Sequence, residues 1–125
     1  MPVERFVSAG VRYALATDVG AGPDLSMLDV MRSFLEVHRG FIELSPLDAL
    51  RAASLWGAEA IGEGTRRGAL CVGRQADVVA LRIPGGLGRG EELSAALGRV
   101  LVDFEGRYQE AVAGVWIAGE QVYGD

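Results

Sequence analysis

With 125 residues, half of them hydrophobic, the chain can bury a core, so global disorder is excluded and one small domain or a piece of a larger one is implied. The net charge is −5, all twelve basic residues are Arg, and only Arg66-Arg67 are adjacent, so no basic stripe exists and nucleic-acid binding is disfavoured. No apolar run reaches the length of a membrane span, and the first residues, MPVERFVSAG, lack the apolar core of a signal peptide. The single Cys71 cannot form an internal disulfide, which fits a reducing, cytoplasmic compartment. Eighteen glycines are about twice the usual share and predict a turn-rich path.

In chain order, residues 3–9 read as the end of a helix stopped by Gly10. Val11-Arg12-Tyr13-Ala14-Leu15-Ala16 reads as a short buried strand, ended by the turn-rich stretch Asp18 to Asp24. Asp24 is a candidate N-cap for an amphipathic helix over 25–39, in which Leu28, Met31 and Leu35 form one stripe and Gly40 is the stop. Ser45-Pro46-Leu47-Asp48 has the form of an acidic capping box with Pro at the first helical position. It predicts a helix from Pro46 to about Trp56, with a short second helix near Ala58–Ile61. After Gly68 the character changes. Asp77 to Leu81 is strand-like, and residues 93–104 place Leu93, Leu97, Val100, Leu101 and Phe104 on one helix face. Val115 to Tyr123 reads as a hairpin turning at Gly119-Glu120.

Five stretches, in order along nearly the whole chain, resemble guanine deaminases of the amidohydrolase superfamily. They are Leu15-Ala16-Thr17-Asp18-Val19-Gly20-Ala21-Gly22 with Ser26-Met27-Leu28; Leu44 to Leu50; Ala53 to Gly62; Gly68 to Val79; and Val115 to Val122. The resemblance implies an α/β fold in two parts. Residues 1–62 would be the last strand and helices of a (β/α)₈ barrel, and residues 68–125 the C-terminal part of a small composite β-sandwich with one inserted helix. It also implies hydrolytic deamination of guanine to xanthine in the complete enzyme, with zinc as cofactor. Pro23-Asp24-Leu25 departs from the small residues that the family places before its S-M-L helix. The family's H-x-H, two later histidines and glutamate have no counterpart in this sequence.

Asp18 matches the family aspartate that binds the metal and handles the proton of the attacking water, so the resemblance makes it both metal ligand and catalytic residue. Taken without the family, an aspartate after a strand reads as a turn former or cap. A catalytic zinc needs three protein ligands and an open position. The only histidine, His38, lies about 20 Å from Asp18 along a straight helix and reads as a surface or partly packed helix-end residue. No tight zinc site, and no turnover by the isolated chain, is therefore expected. Cys71 reads as a small buried hydrophobe, Trp56 and Trp116 as core fillers, and Glu91-Glu92 as first-turn charge on a helix. Gly20-Ala21-Gly22 lacks the lysine and spacing of a phosphate loop. Unpaired edges at 11–16, 77–81 and 115–123 predict self-association or pairing with a missing N-terminal portion. Two other readings stand beside this one: a non-catalytic interaction module, and a chlorohydrolase-type amidohydrolase with another substrate.

Overall fold

The computed structural model describes residues 2–22 and 25–124. Five α-helices precede or interrupt a three-stranded sheet: α1 Val3–Ser8, α2 Met27–Val37, α3 Pro46–Ala53, α4 Leu55–Ala60, β1 Val78–Leu81, α5 Leu93–Asp103, β2 Val112–Ile117 and β3 Glu120–Gly124. A 3₁₀ turn at Tyr108–Glu110 leads into β2.

The amphipathic stripe of α2 forms as its spacing requires, and Met31 and Phe34 are buried on it. Its expected cap, Asp24, lies outside the described residues, and Ser26 holds the N-cap position without a side-chain bond. The capping box at α3 is complete. The Asp48 amide donates to Ser45 Oγ at 3.2 Å, and the Ser45 amide donates to Asp48 Oδ2 at 2.9 Å. Burial pushes the Asp48 carboxyl up, but the hydrogen bonds from Ser45 and the charge of Arg51 outweigh it and hold the group below its ordinary value. A carboxyl with a lowered folded value contributes stability that is present at neutral pH and lost as pH falls from the ordinary aspartate range through that value. Acid titration of the melting temperature should show this loss, and Asp48→Asn should flatten it. An identical acid limb in the variant would refute the assignment.

The helix expected to reach Trp56 breaks at Ser54, which adopts φ −129° and ψ −85°. The Ser54 hydroxyl donates to the Leu50 carbonyl at 2.6 Å, the kind of local side-chain bond that competes with helix continuation. The second helix, α4, therefore starts three residues earlier than its expected position near Ala58.

The main core joins Val3, Met31, Phe34, Ala49, Leu97 and Leu101, drawn from α1, α2, α3 and α5. Thus α5, which lies between β1 and β2 in sequence, packs back onto the N-terminal helices. Arg32 of α2 reinforces that contact, pairing with Asp29 at 3.2 Å and with Glu105 beyond α5 at 3.2 Å. Phe34 ties the core to the extended segment through the Tyr13 ring, 5.5 Å away. Phe34→Ala should cost about 3–5 kcal/mol of unfolding free energy in a denaturant titration. A loss under about 1 kcal/mol would mean that the surrounding side chains close the void.

The sheet order is β1-β2-β3, antiparallel throughout. Its hairpin turns at Ala118-Gly119, one residue earlier than the sequence pattern suggests, with φ of 53° and 84° as in a type I′ turn. The reason lies across the sheet. The Ala118 amide donates to Asp77 Oδ1 at 2.9 Å, and the Gly119 amide donates to the Ala76 carbonyl at 2.9 Å. Two of the five resembling stretches thus meet at this one junction.

Residues 11–16, expected as a buried strand, form no ladder with other described residues. Val11 is exposed, and burial alternates: Tyr13, Leu15 and Thr17 are half-buried while Arg12, Ala14, Ala16 and Asp18 are exposed. The conformation of a strand is present, but only its helix-facing side is covered. Cys71 is likewise exposed rather than buried, because the stretch from Leu70 to Val72 stands off the fold.

Candidate functional site

Asp18 follows directly on the extended segment and has φ 48°, one of two non-glycine residues in the left-handed region among the described residues. That conformation is costly for most side chains and tolerated by Asp. A tight loop enforces it: the Asp18 carbonyl accepts from the Ala21 and Gly22 amides, both at 2.8 Å. Gly22 passes so close that a Cβ there would lie 1.9 Å from the Thr17 carbonyl oxygen. The glycine expected to be a mere turn marker is therefore a steric requirement of the loop that holds Asp18.

Behind the loop, the segment is anchored on its covered side. The Leu15 amide donates to the Ala52 carbonyl at 3.1 Å, and the Tyr13 ring sits edge-on to Trp56 with centroids 5.4 Å apart. Arg12 pairs with Glu59 of α4. Ala14 and Ala16 share the exposed side of the segment with Arg12 and Asp18. Asp18 itself is exposed, and among the described residues no donor reaches its carboxylate.

The other candidate donors lie elsewhere. His38 is buried, capping the C-terminus of α2, with Nδ1 2.8 Å from the Phe34 carbonyl and its ring 4.8 Å from the Phe34 ring. A carbonyl only accepts, so Nδ1 carries the proton. It is a packed core histidine, more deeply placed than its position at a helix end suggests. Trp56 and Trp116 are half-buried, the latter laying its ring over Gly114. Glu92 takes the N-cap position of α5, so Glu91 lies before the helix, where it accepts from the Gly88 amide at 2.9 Å and pairs with Arg99 at 2.7 Å. The Gly88 amide and then Arg99 hold the Glu91 carboxyl below its ordinary value, so it clamps the glycine-rich loop as a fixed anion.

A zinc site can be tested against these positions. Among the described residues no group of three or more His, Cys, Asp and Glu could hold a metal ion. Asp18 would supply at most one ligand where hydrolytic zinc takes three, so the donor set of the described residues does not fit a catalytic metal by itself.

The amidohydrolase family model matches residues 1–122. The chain belongs to the amidohydrolase family. Among curated relatives, it is 39% identical over 85 residues to a probable guanine deaminase of Deinococcus radiodurans, covering 65% of this chain and 19% of that protein. It is also 39% identical over 82 residues to an imidazolonepropionase of Geobacillus kaustophilus, covering 64% of this chain and 18% of that protein. Among solved structures, E. coli guanine deaminase superposes with a TM-score of 0.82 at 21% identity, covering 98% of this chain and 30% of that chain. An adenosine deaminase from Xanthomonas campestris, solved with bound zinc, superposes with a TM-score of 0.73 at 31% identity, covering 98% of this chain and 28% of that one. This amidohydrolase chain thus spans about a fifth of the length of the curated relatives it matches. Among its described residues, no helix is long and apolar enough to cross a membrane.

Proposed function

We propose that this amidohydrolase chain is the portion of a guanine deaminase-like enzyme that supplies one carboxylate, Asp18, to a site completed by residues outside it. In this reading residues 1–62 are the last strand and helices of the barrel. Residues 68–125 are the C-terminal share of the sandwich, with α5 reaching back onto the barrel helices. The single observation that carries it is the placement of Asp18: exposed, in a left-handed turn held by Gly22, at the C-terminal end of an extended segment. Barrel enzymes display their catalytic groups at that end of their strands.

The chemistry assigned to Asp18 is proton transfer. Guanine and water become xanthine and ammonia: the water oxygen bonds to the amino-bearing carbon, and the carbon–nitrogen bond breaks. The carboxylate accepts the proton that the water gives up and returns it to the leaving amine. In the complete enzyme a zinc ion would take Asp18 together with ligands from outside this chain. A second reading, an imidazolone ring as substrate, is favoured by the Geobacillus kaustophilus imidazolonepropionase, whose identity to this chain equals that of the probable guanine deaminase.

Two arms test the proposal. The chain alone, with zinc added, should convert no guanine above background. Grafted in place of the matched segment of E. coli guanine deaminase, residues 2–122 should restore guanine turnover. Turnover by the chain alone, or a folded and zinc-loaded graft without turnover, would overturn it.

A further inference from the structure

Between α4 and β1 the chain crosses from the helices to the sheet, and this crossing is loose at its middle and pinned at its ends. Leu70, Cys71 and Val72 are exposed, and Gly68 and Gly73 have φ of 88° and 86°, a region open to glycine at no steric cost. One end is pressed onto α4, since a Cβ at Gly68 would lie 2.7 Å from the Ala58 Cβ. The other end is bonded to the hairpin, where Asp77 Oδ1 accepts from the Ala118 amide and the Ala76 carbonyl from the Gly119 amide. Arg67 spans the two. Its Nε stands 3.4 Å from Oε2 of Glu63, whose own amide donates to the Ala58 carbonyl at 2.8 Å. On the sheet side, Arg67 Nη2 donates to Gln75 Oε1 at 3.0 Å, and Nη1 faces Asp77 Oδ2 at 4.0 Å. A rigid fork of donors can serve both sides at once, which a point charge cannot. Glu63 Oε2 and Arg67 Nε are both buried, with no hydrogen-bond partner among the described residues, so each charge depends on the other for compensation.

We propose that Glu63, Arg67 and Asp77 form a polar lock on this crossing, which couples the end of α4 to the hairpin turn at Ala118-Gly119. With the lock closed, the sheet is fixed to α4 as well as through α5. With it open, the crossing pivots at Gly68 and Gly73 and the turn loses its support from Asp77. Arg66 stands outside the lock: it pairs with the same Glu63 carboxylate at 3.3 Å, but among the described residues its side chain reaches no residue of the sheet.

Amide exchange of the whole chain, read at Ala118 and Gly119, tests the lock. Glu63→Gln removes the charge from a residue that makes no bond to the turn, yet it should speed exchange at both amides about tenfold, the size expected for partners in one charged network. Arg67→Met, which keeps the stem and removes the fork, should do the same, and adding Glu63→Gln to it should bring no further rise. Exchange in α2 and α5 and the circular dichroism should match the unmodified chain, which separates an open lock from general unfolding. Unchanged exchange at Ala118 and Gly119 in Glu63→Gln would overturn the lock, and this arm stands even where Arg67→Met does not fold. Three further results would overturn it: equal rises from Glu63→Gln with and without Arg67, the same rise in Arg66→Met, or a rise shared equally by α2 and α5.

Discussion

Gly22→Ala is expected to dismantle the loop that aims Asp18 while leaving the helical core folded. A methyl at this position would sit 1.9 Å from the Thr17 carbonyl oxygen, a backbone atom that no side-chain rotation can move aside. Relief requires the chain between 17 and 22 to open, which breaks the two amide bonds to the Asp18 carbonyl. Without them nothing holds Asp18 at φ 48°, and it relaxes to an ordinary conformation that turns its carboxylate elsewhere. Overpacking of this kind costs about 1–3 kcal/mol, and here it falls on a loop remote from Met31 and Leu101. Amide exchange at residues 21 and 22 should therefore accelerate while the global melting temperature changes little. In the grafted deaminase, kcat should fall nearly as far as it does on losing the carboxylate itself. A variant that keeps the φ of Asp18 and full turnover would show that the loop does not position it.

The parts of the fold visible in the sequence are those whose causes are local. The capping box at Ser45 and Asp48 needs only four consecutive residues, and the stripe on α2 needs only its own spacing. The parts that differ were decided by hydrogen bonds that the apolar pattern does not encode, some of them between distant residues. The hairpin turns at Ala118-Gly119 because Ala76 and Asp77, some forty residues away in sequence, accept its amides. Helix α3 stops short because the Ser54 hydroxyl bonds back to Leu50, a choice that the apolar pattern does not encode. Tyr108, buried with its hydroxyl donating to the Leu101 carbonyl at 2.7 Å, follows a glycine and an arginine in no periodic pattern and gave no signal. Cys71 and the segment 11–16 look interior by composition because apolar residues mark surfaces to be covered, whichever chain segment covers them. At the site, Asp18 was legible only through its surrounding motif. The role of Gly22 was not legible, because a glycine needed for close approach and one needed for φ look alike in one sequence.

The most direct measurement is guanine turnover by the grafted deaminase carrying Asp18→Asn, which preserves size and the left-handed preference of the turn but removes the basic carboxylate. Because proton transfer by a positioned group contributes about 10²–10⁴-fold, kcat should fall by that factor, with the circular dichroism and melting temperature unchanged. A variant whose turnover stays within about threefold of the unmodified graft, far short of that general-base range, would contradict the assignment of Asp18 and with it the account of what this chain contributes.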